Sequence, residues 1–294
     1  MPDAVIIDAM NLAYRSWWNC RQLTHMVGGQ IFHTGLEFGF IRNTLAHVRN
    51  HQPAQVYLAW DGIPKRALTI NPQYKADRDK SNQEAEAPWI PRLTKVREAM
   101  ARIVPSLYHP EMEADELIAL FVKQQDATGK STVIISNDAD MYQLVSGTTQ
   151  VLVSGKDEET YVGVPGVIDR FGVPPEKVPL YRAIAGDRSD NLLGIPRISD
   201  KSKVRLVMEA ENIDQLVESF FRATFLSVKE KEKLTAGVDL VRTNYQIMNL
   251  RGLTGDAVIP NPSNGDTGPA LQMCRDLGLK SLIERKEWTL FQPA

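Results

Sequence analysis

The sequence predicts an α/β domain on a mostly parallel central sheet flanked by helices, followed by a helical region. Three observations predict it. Short apolar runs alternate with stretches of helical spacing up to about residue 160. Three of these runs end at or just before Asp residues. After residue 160 the runs give way to helical segments punctuated by Pro and Gly.

Val5-Ile6-Ile7-Asp8 reads as a buried strand, and Asn11 to Trp18 as the helix after it. Gly35 to Asn50 places Leu36, Phe40, Ile41, Leu45 and Val48 on one helical side. Gln55 to Asp61 is a second strand, and residues 63–88 are a charged, Pro- and Asn-containing excursion. Pro91 to Ile103 resumes helical spacing, and Glu113 to Gln125 is amphipathic. Thr132 to Ser136 is a third strand, running into Asp138 and Asp140, and Gln150 to Val153 a fourth. A helix is expected from Pro174-Pro175 to about Ala185, and another over Ser199 to Ala210 after the Gly194-Ile195-Pro196 turn. Residues 254–269 read as a loop, and the tail to Phe291 as a helix packing back. The expected division is an α/β core over 1–160, a helical region over 161–250 and an extension over 251–294.

The net charge of −2 argues at first against a nucleic-acid partner. Nine carboxylates gathered below carry much of the acidity, and without them the balance is +7. Cys20 and Cys274 are far apart, with no C-x-x-C spacing. The cysteines therefore indicate no zinc site, and the histidines, His25, His33, His47, His51 and His109, are read as not clustering and as non-catalytic. No apolar run reaches the roughly 18 residues that span a bilayer, and Met1-Pro2-Asp3 opens no signal-peptide pattern. A cytosolic monomer is the expectation.

In open α/β sheets ligands bind beyond the carboxyl ends of the strands. Asp8, Asp61 and the Asp138/Asp140 pair lie there. One such Asp reads equally well as a helix cap, but three suggest a site. Glu113, Asp115 and Glu116 open a helix, where acidic residues also suit the dipole. Asp187 and Asp190 follow a helix C-terminus, where they do not. So many carboxylates share a pocket only with cations. Oxygen-only ligands favour Mg²⁺ or Mn²⁺ over Zn²⁺. Two such ions suit phosphodiester hydrolysis.

In this order the motifs are Asp8-x-x-Asn11-Leu12-x-x-Arg15, Trp60-Asp61-Gly62, Arg66 with Tyr74-Lys75-x-x-Arg78, Glu113-Ala114-Asp115-Glu116, Ser136-Asn137-Asp138-Ala139-Asp140 and Gly186-Asp187-x-x-Asp190-Asn191. The set, over residues 4 to 250, resembles the 5′-nuclease (flap endonuclease) family. That family includes free-standing bacteriophage enzymes and the 5′-exonuclease domain of bacterial DNA polymerase I. The resemblance implies a PIN-like core, a helical arch at residues 63–100 and a helix–hairpin–helix at about 185–210. It implies Mg²⁺-dependent cutting of 5′ ends and flaps of DNA, and of RNA primers in RNA/DNA hybrids, in replication or repair. Two ions, replaceable by Mn²⁺, are then held by Asp8, Asp61, Glu113, Asp115, Glu116, Asp138, Asp140, Asp187 and Asp190. Lys75, with Asp8 and Asp61, falls at the catalytic positions. DNA contacts are expected from Arg15, Arg66, Tyr74, Lys75, Arg78, Arg188, Arg197, Lys201 and Lys203, with Tyr74 stacking on a base and Arg66 and Arg78 on phosphates. A K⁺ at the hairpin is also implied, although Arg197 and Ser199 stand where the family carries glycines, and Glu116 stands where it carries Asp. Rival readings are a metal-dependent ribonuclease and a non-catalytic binder of branched DNA.

Overall fold

The computed structural model describes residues 1–294 except 28, 52–54, 77–89, 156–157, 257 and 292–294. The chain opens with β1 (Ala4–Asp8), in which every residue is buried. Such a run suits a central parallel strand, which is covered on both faces. Helix α1 (Ala9–Cys20) follows without a loop, capped by Asp8. A two-stranded hairpin, β2 (Thr24–Val27) and β3 (Gln30–His33), precedes α2 (Gly35–His51). Neither hairpin strand is anticipated above. Next come β4 (Gln55–Trp60), the short α3 (Lys65–Ile70), α4 (Ile90–Ala101), β5 (Ser106–Tyr108) and α5 (Ala114–Ala127). The core closes with β6 (Thr132–Ile135), β7 (Thr149–Ser154) and β8 (Glu159–Val162).

Among the described residues these strands form a six-stranded sheet in the order β5-β4-β1-β6-β7-β8. All pairs are parallel except β7 with β8. The chain moves outward from β1 to β4 and β5, then returns to β6 on the other side of β1. The topological switch point therefore lies between β1 and β6, where a crevice opens at the strand ends.

Two hydrophobic cores follow. One joins α1, α2 and α4 to the sheet and includes Ala270, Cys274, Leu282 and Trp288 of the C-terminal segment. The other joins α5 to the helices α6 (Val164–Phe171), α7 (Val178–Ala185), α8 (Asp200–Met208), α9 (Ile213–Arg222), α10 (Val228–Ala236) and α11 (Val238–Met248). The segment after residue 250 supplies α12 (Gly268–Asp276) and α13 (Lys280–Ile283). No helix among the described residues is long and apolar enough to cross a membrane.

Candidate metal centre

Asp8 ends β1 and begins α1. Its Oδ1 accepts the Asn11 N–H at 2.9 Å and its Oδ2 accepts the Ser136 hydroxyl at 2.8 Å. Ser136 Oγ in turn accepts the Asp138 N–H at 3.0 Å, and Asp138 Oδ1 accepts the Asp140 N–H at 2.8 Å. One chain of hydrogen bonds thus links the ends of β1 and β6 across the switch point. Asp61, just past β4, accepts the Ala114 N–H at 2.7 Å and ties that strand end to the start of α5. Glu113 caps α5, and Glu116 reaches back to its N–H at 3.1 Å, a reciprocal capping box. Asp187 caps the turn Arg188–Asp190, accepting the Ser189 N–H at 2.8 Å. Several of the predicted metal ligands are therefore caps as well. Capping turns their carboxylates toward helix N-termini that meet in one crevice.

The electrostatics follow from that convergence. Burial first, then the Asp61 charge, pushes the Asp8 carboxyl up to about 7. Burial, with Asp138, Asp8, Asp61 and Glu113 adding to it, holds Asp115 well above the ordinary carboxylate range. Burial also lifts Asp140 to about 7, against the pull of Arg182. Asp187 is held low despite burial, by the Ser189 hydrogen bonds and by Arg182. One carboxylate oxygen each from Asp140, Asp187 and Asp190 can be chosen so that all three lie within 4.8 Å of one another. The donor set is entirely carboxylate and penalised for its own charge. It fits hard divalent cations and not a thiophilic metal.

Cations already thread the cluster. Arg182, on α7, donates from Nε to Asp140 Oδ1 at 3.0 Å and from Nη2 to Asp187 Oδ2 at 2.6 Å. Lys75 Nζ donates to Glu113 Oε1 and lies 3.9 Å from Asp190 Oδ2. Its backbone N–H donates to the Asp190 carbonyl at 3.0 Å, and its φ is +56°. In the sequence alone Arg182 reads only as a charge before the hairpin. Its place five residues before Asp187, on the helix leading to the turn, is the signal that points to this role.

The structure departs from three of the sequence expectations. Tyr74 is 7 % exposed and packs with Ala67, Leu192, Ile247 and Met248. Its hydroxyl lies 3.0 Å from Glu113 Oε2 and 3.1 Å from Asp190 Oδ2, so its ring is not free to stack on a base. Arg66 spends its guanidinium on the protein: Nε on Glu116 Oε1 at 2.5 Å, Nη1 on the Gln246 carbonyl at 2.5 Å and Nη2 on the Ile247 carbonyl at 2.8 Å. In this structure it is a strut between α5 and the end of α11. The five histidines are not all dispersed, because His47 and His51 meet on α2. Glu116, 3 % exposed, has one oxygen on Arg66 and the other on the Glu113 N–H.

Among the other predicted residues, Arg15 is half-buried and feels the charges of Glu159 and Asp8. Arg188, Arg197 and Lys201 are exposed. Lys203 pairs with Asp200 at 2.8 Å and lies over the Tyr181 ring. Arg78 lies outside the described residues, as does much of the expected arch. In the turn between α7 and α8, Arg197 adopts φ +62°, the left-handed conformation that favours glycine. Gly186, at φ +74°, sits where a Cβ would collide with the Gly194 nitrogen. The β2–β3 hairpin, absent from the sequence expectations, presents Met26, Ile31 and Phe32 to solvent.

A family model described as "5'-3' exonuclease, N-terminal resolvase-like domain" matches residues 3–172. A DNA polymerase I of Rhizobium leguminosarum is 37% identical over 199 residues, covering 65% of this chain and 19% of that protein. The chain thus spans about a fifth of that relative's length. A 5'-3' exonuclease of Aquifex aeolicus is 27% identical over 287 residues, covering 97% of this chain and 95% of that one. The fold is similar to that of a bacteriophage T5 D15 flap endonuclease in a pseudo-enzyme-product complex with DNA and metal ions. The TM-score is 0.70 at 18% identity, over 98% of this chain and 97% of that one. With more than half of its length matched by the family model, the chain belongs to the 5′-3′ exonuclease family.

Proposed function

We propose that the protein hydrolyses phosphodiester bonds at the 5′ ends and 5′ flaps of DNA, using two divalent cations of the Mg²⁺ type. The observation that carries this reading is the convergence of carboxylates from three parallel strand ends, α5 and the 187–190 turn on one crevice. Three of them are held well above their ordinary pKa by burial and mutual repulsion. Of the nine carboxylates expected as ligands, Asp8, Asp61, Glu113, Asp115, Asp138, Asp140, Asp187 and Asp190 would hold the ions directly, while Glu116, with one oxygen on Arg66 and the other on the Glu113 N–H, would act behind them. When bound, such ions neutralise the phosphate and make water a competent nucleophile near neutral pH.

The rest of the work falls to the chain. Ser136 and the Asn11 N–H fix both oxygens of Asp8. Arg182 fixes Asp140 against Asp187. The Lys75 ammonium, partly exposed beside Glu113, would meet negative charge growing on the scissile phosphate. Water oxygen bonds to phosphorus, the P–O3′ bond breaks, and the products are a 5′-phosphate and a 3′-hydroxyl. Arg188, Arg197 and Lys201 are exposed beside the turn between α7 and α8, where duplex phosphates would lie.

The deciding experiment incubates the protein with a labelled 5′-flap duplex, with Mg²⁺ or with EDTA, beside Asp138→Asn/Asp140→Asn. Mg²⁺-dependent cutting near the junction, lost in the variant, is expected. Tight flap binding without cutting under any divalent metal would leave a non-catalytic DNA binder. Matched DNA and RNA flaps separate the ribonuclease reading, which requires cutting of RNA alone.

A further inference from the structure

Apart from the carboxylate crevice, α2 and β8 gather a second set of ligand-type side chains. His47 and His51 stand one helical turn apart and share a face. Their rings are 5.8 Å apart and nearly parallel, at 17°. Both residues are buried, at 4 % and 8 % exposure. Glu159, the first residue of β8, brings Oε1 to 3.8 Å from His47 Nδ1. One ligand atom from each of the three can be chosen so that all lie within 4.8 Å of one another.

Two atoms here are anomalous. His47 Nδ1 and His51 Nε2 are shielded from solvent and have no hydrogen-bond partner. Buried polar atoms are nearly always partnered, and an exception calls for a cause such as an ion. The other nitrogen of His51, Nδ1, lies 2.8 Å from the Tyr161 hydroxyl. A metal-bound imidazole is ordinarily oriented in this way, through its second nitrogen. Burial drives His47 down to about 4 and, against the pull of Glu159, lowers His51 too, which favours the neutral ring that keeps a lone pair to donate.

We propose that His47, His51 and Glu159 bind one divalent transition ion of the Zn²⁺ class, separate from the carboxylate centre, and so clip α2 to the edge strand β8. Two imidazoles and one carboxylate suit such an ion and not Mg²⁺. Tetrahedral zinc with bonds near 2.0 Å sets ligand atoms about 3.3 Å apart, so modest side-chain closure completes the site. Three protein ligands leave the fourth position to water, on the side where the Glu159 side chain is 39 % exposed. The charged neighbour is Arg15, which acts on Glu159 and on His47 and competes with the ion for the Glu159 carboxylate.

The test titrates Zn²⁺ by calorimetry, and Co²⁺ by visible absorption, into the chelator-stripped full chain in excess Mg²⁺. It is repeated in Asp138→Asn/Asp140→Asn, which weakens the carboxylate centre. The expected result is about one Zn²⁺ per chain in both proteins, with an affinity roughly tenfold or more weaker in His51→Gln and in Glu159→Gln. The tetrahedral Co²⁺ band should vanish in His51→Gln. Glu159 is partly exposed, so Glu159→Gln should keep the metal-free unfolding midpoint and report binding without a folding defect. Absence of Zn²⁺ binding in the carboxylate variant, or binding unchanged in both single variants, overturns the proposal.

Discussion

Replacing Asp8 by Asn should make the metal-free protein more stable, although it removes a side chain proposed to be essential. Asp8 is 5 % exposed and its carboxyl is raised from 3.8 to about 7, by burial first and then by Asp61. A tenfold change in proton affinity corresponds to about 1.4 kcal/mol, so ionising Asp8 in the folded chain costs up to about 4 kcal/mol. Asn keeps an oxygen for the Asn11 N–H but makes the Ser136 hydroxyl reverse its role, at a cost of about 1 kcal/mol. With incomplete burial of the charge also allowed for, the net gain is about 1–3 kcal/mol, or roughly 3–9 °C in Tm. The sign follows from linkage. A raised carboxyl pKa contributes stability that is complete below the unfolded value of 3.8 and is lost as pH rises through about 7. Wild type should therefore equal or slightly exceed the variant at low pH, where only the Ser136 cost remains, and fall behind it as pH rises. Thermal unfolding in EDTA at about pH 5 and about pH 8 measures this gap. Saturating Mg²⁺ should close or reverse it, because the ion stabilises only the protein able to bind it. A variant less stable than wild type at the higher pH, or a gap of equal size at both, would refute the reasoning.

Further outcomes are expected. Lys75→Ala should lower single-turnover cleavage on the order of 10²–10³-fold with a smaller change in flap affinity, as for loss of a donor to a charged transition state. Arg66→Ala should destabilise by about 3–5 kcal/mol in urea titration, because it strands the buried Glu116 charge, and Lys should not rescue the three-way contact. Gly186→Ala should cost on the order of 3 kcal/mol, since a left-handed residue would also meet the backbone of Gly194. Arg197→Ala should weaken duplex-containing substrates more than single strands and lower the salt slope by about one; equal losses on both would exclude a duplex contact.

The central strands are legible in the sequence because full burial on both faces writes an unbroken apolar run, as in Val5-Ile6-Ile7. The carboxylates are legible because strand ends in this topology point one way. Each also reads as a cap, and the structure shows that cap at Asp8, Glu113, Asp138 and Asp187, on carboxylates that gather at one crevice. Other features leave weaker traces. Strand β5 has three residues, too few for a period to register. The β2–β3 hairpin flanks a Gly-Gly dipeptide, a turn signal with too little alternation around it to stand out. Spacing cannot tell that Tyr74 points inward, because Tyr-Lys-x-x-Arg is the same string whether the ring stacks on a base or fills a gap beneath Leu192. The i,i+4 step from His47 to His51 is visible in the chain, but its partner Glu159 arrives only through the fold.

Lys75 and Asn191, at φ +56° and +58°, are both non-glycine residues in the left-handed region, and each sits in a segment that grips the other. The Lys75 N–H holds the Asp190 carbonyl, and the Asn191 amide holds the Gln73 carbonyl at 2.9 Å. Neither conformation is favourable alone, at about 1–2 kcal/mol each. Each persists because the opposite strand of this short clasp is in place. The clasp therefore behaves as a conjunction: the amine over the acidic crevice is armed only while the turn ahead of α8 keeps its shape. On the proposed function, a strain applied by nucleic acid on the basic side of that turn would reach the Lys75 amine through these two hydrogen bonds.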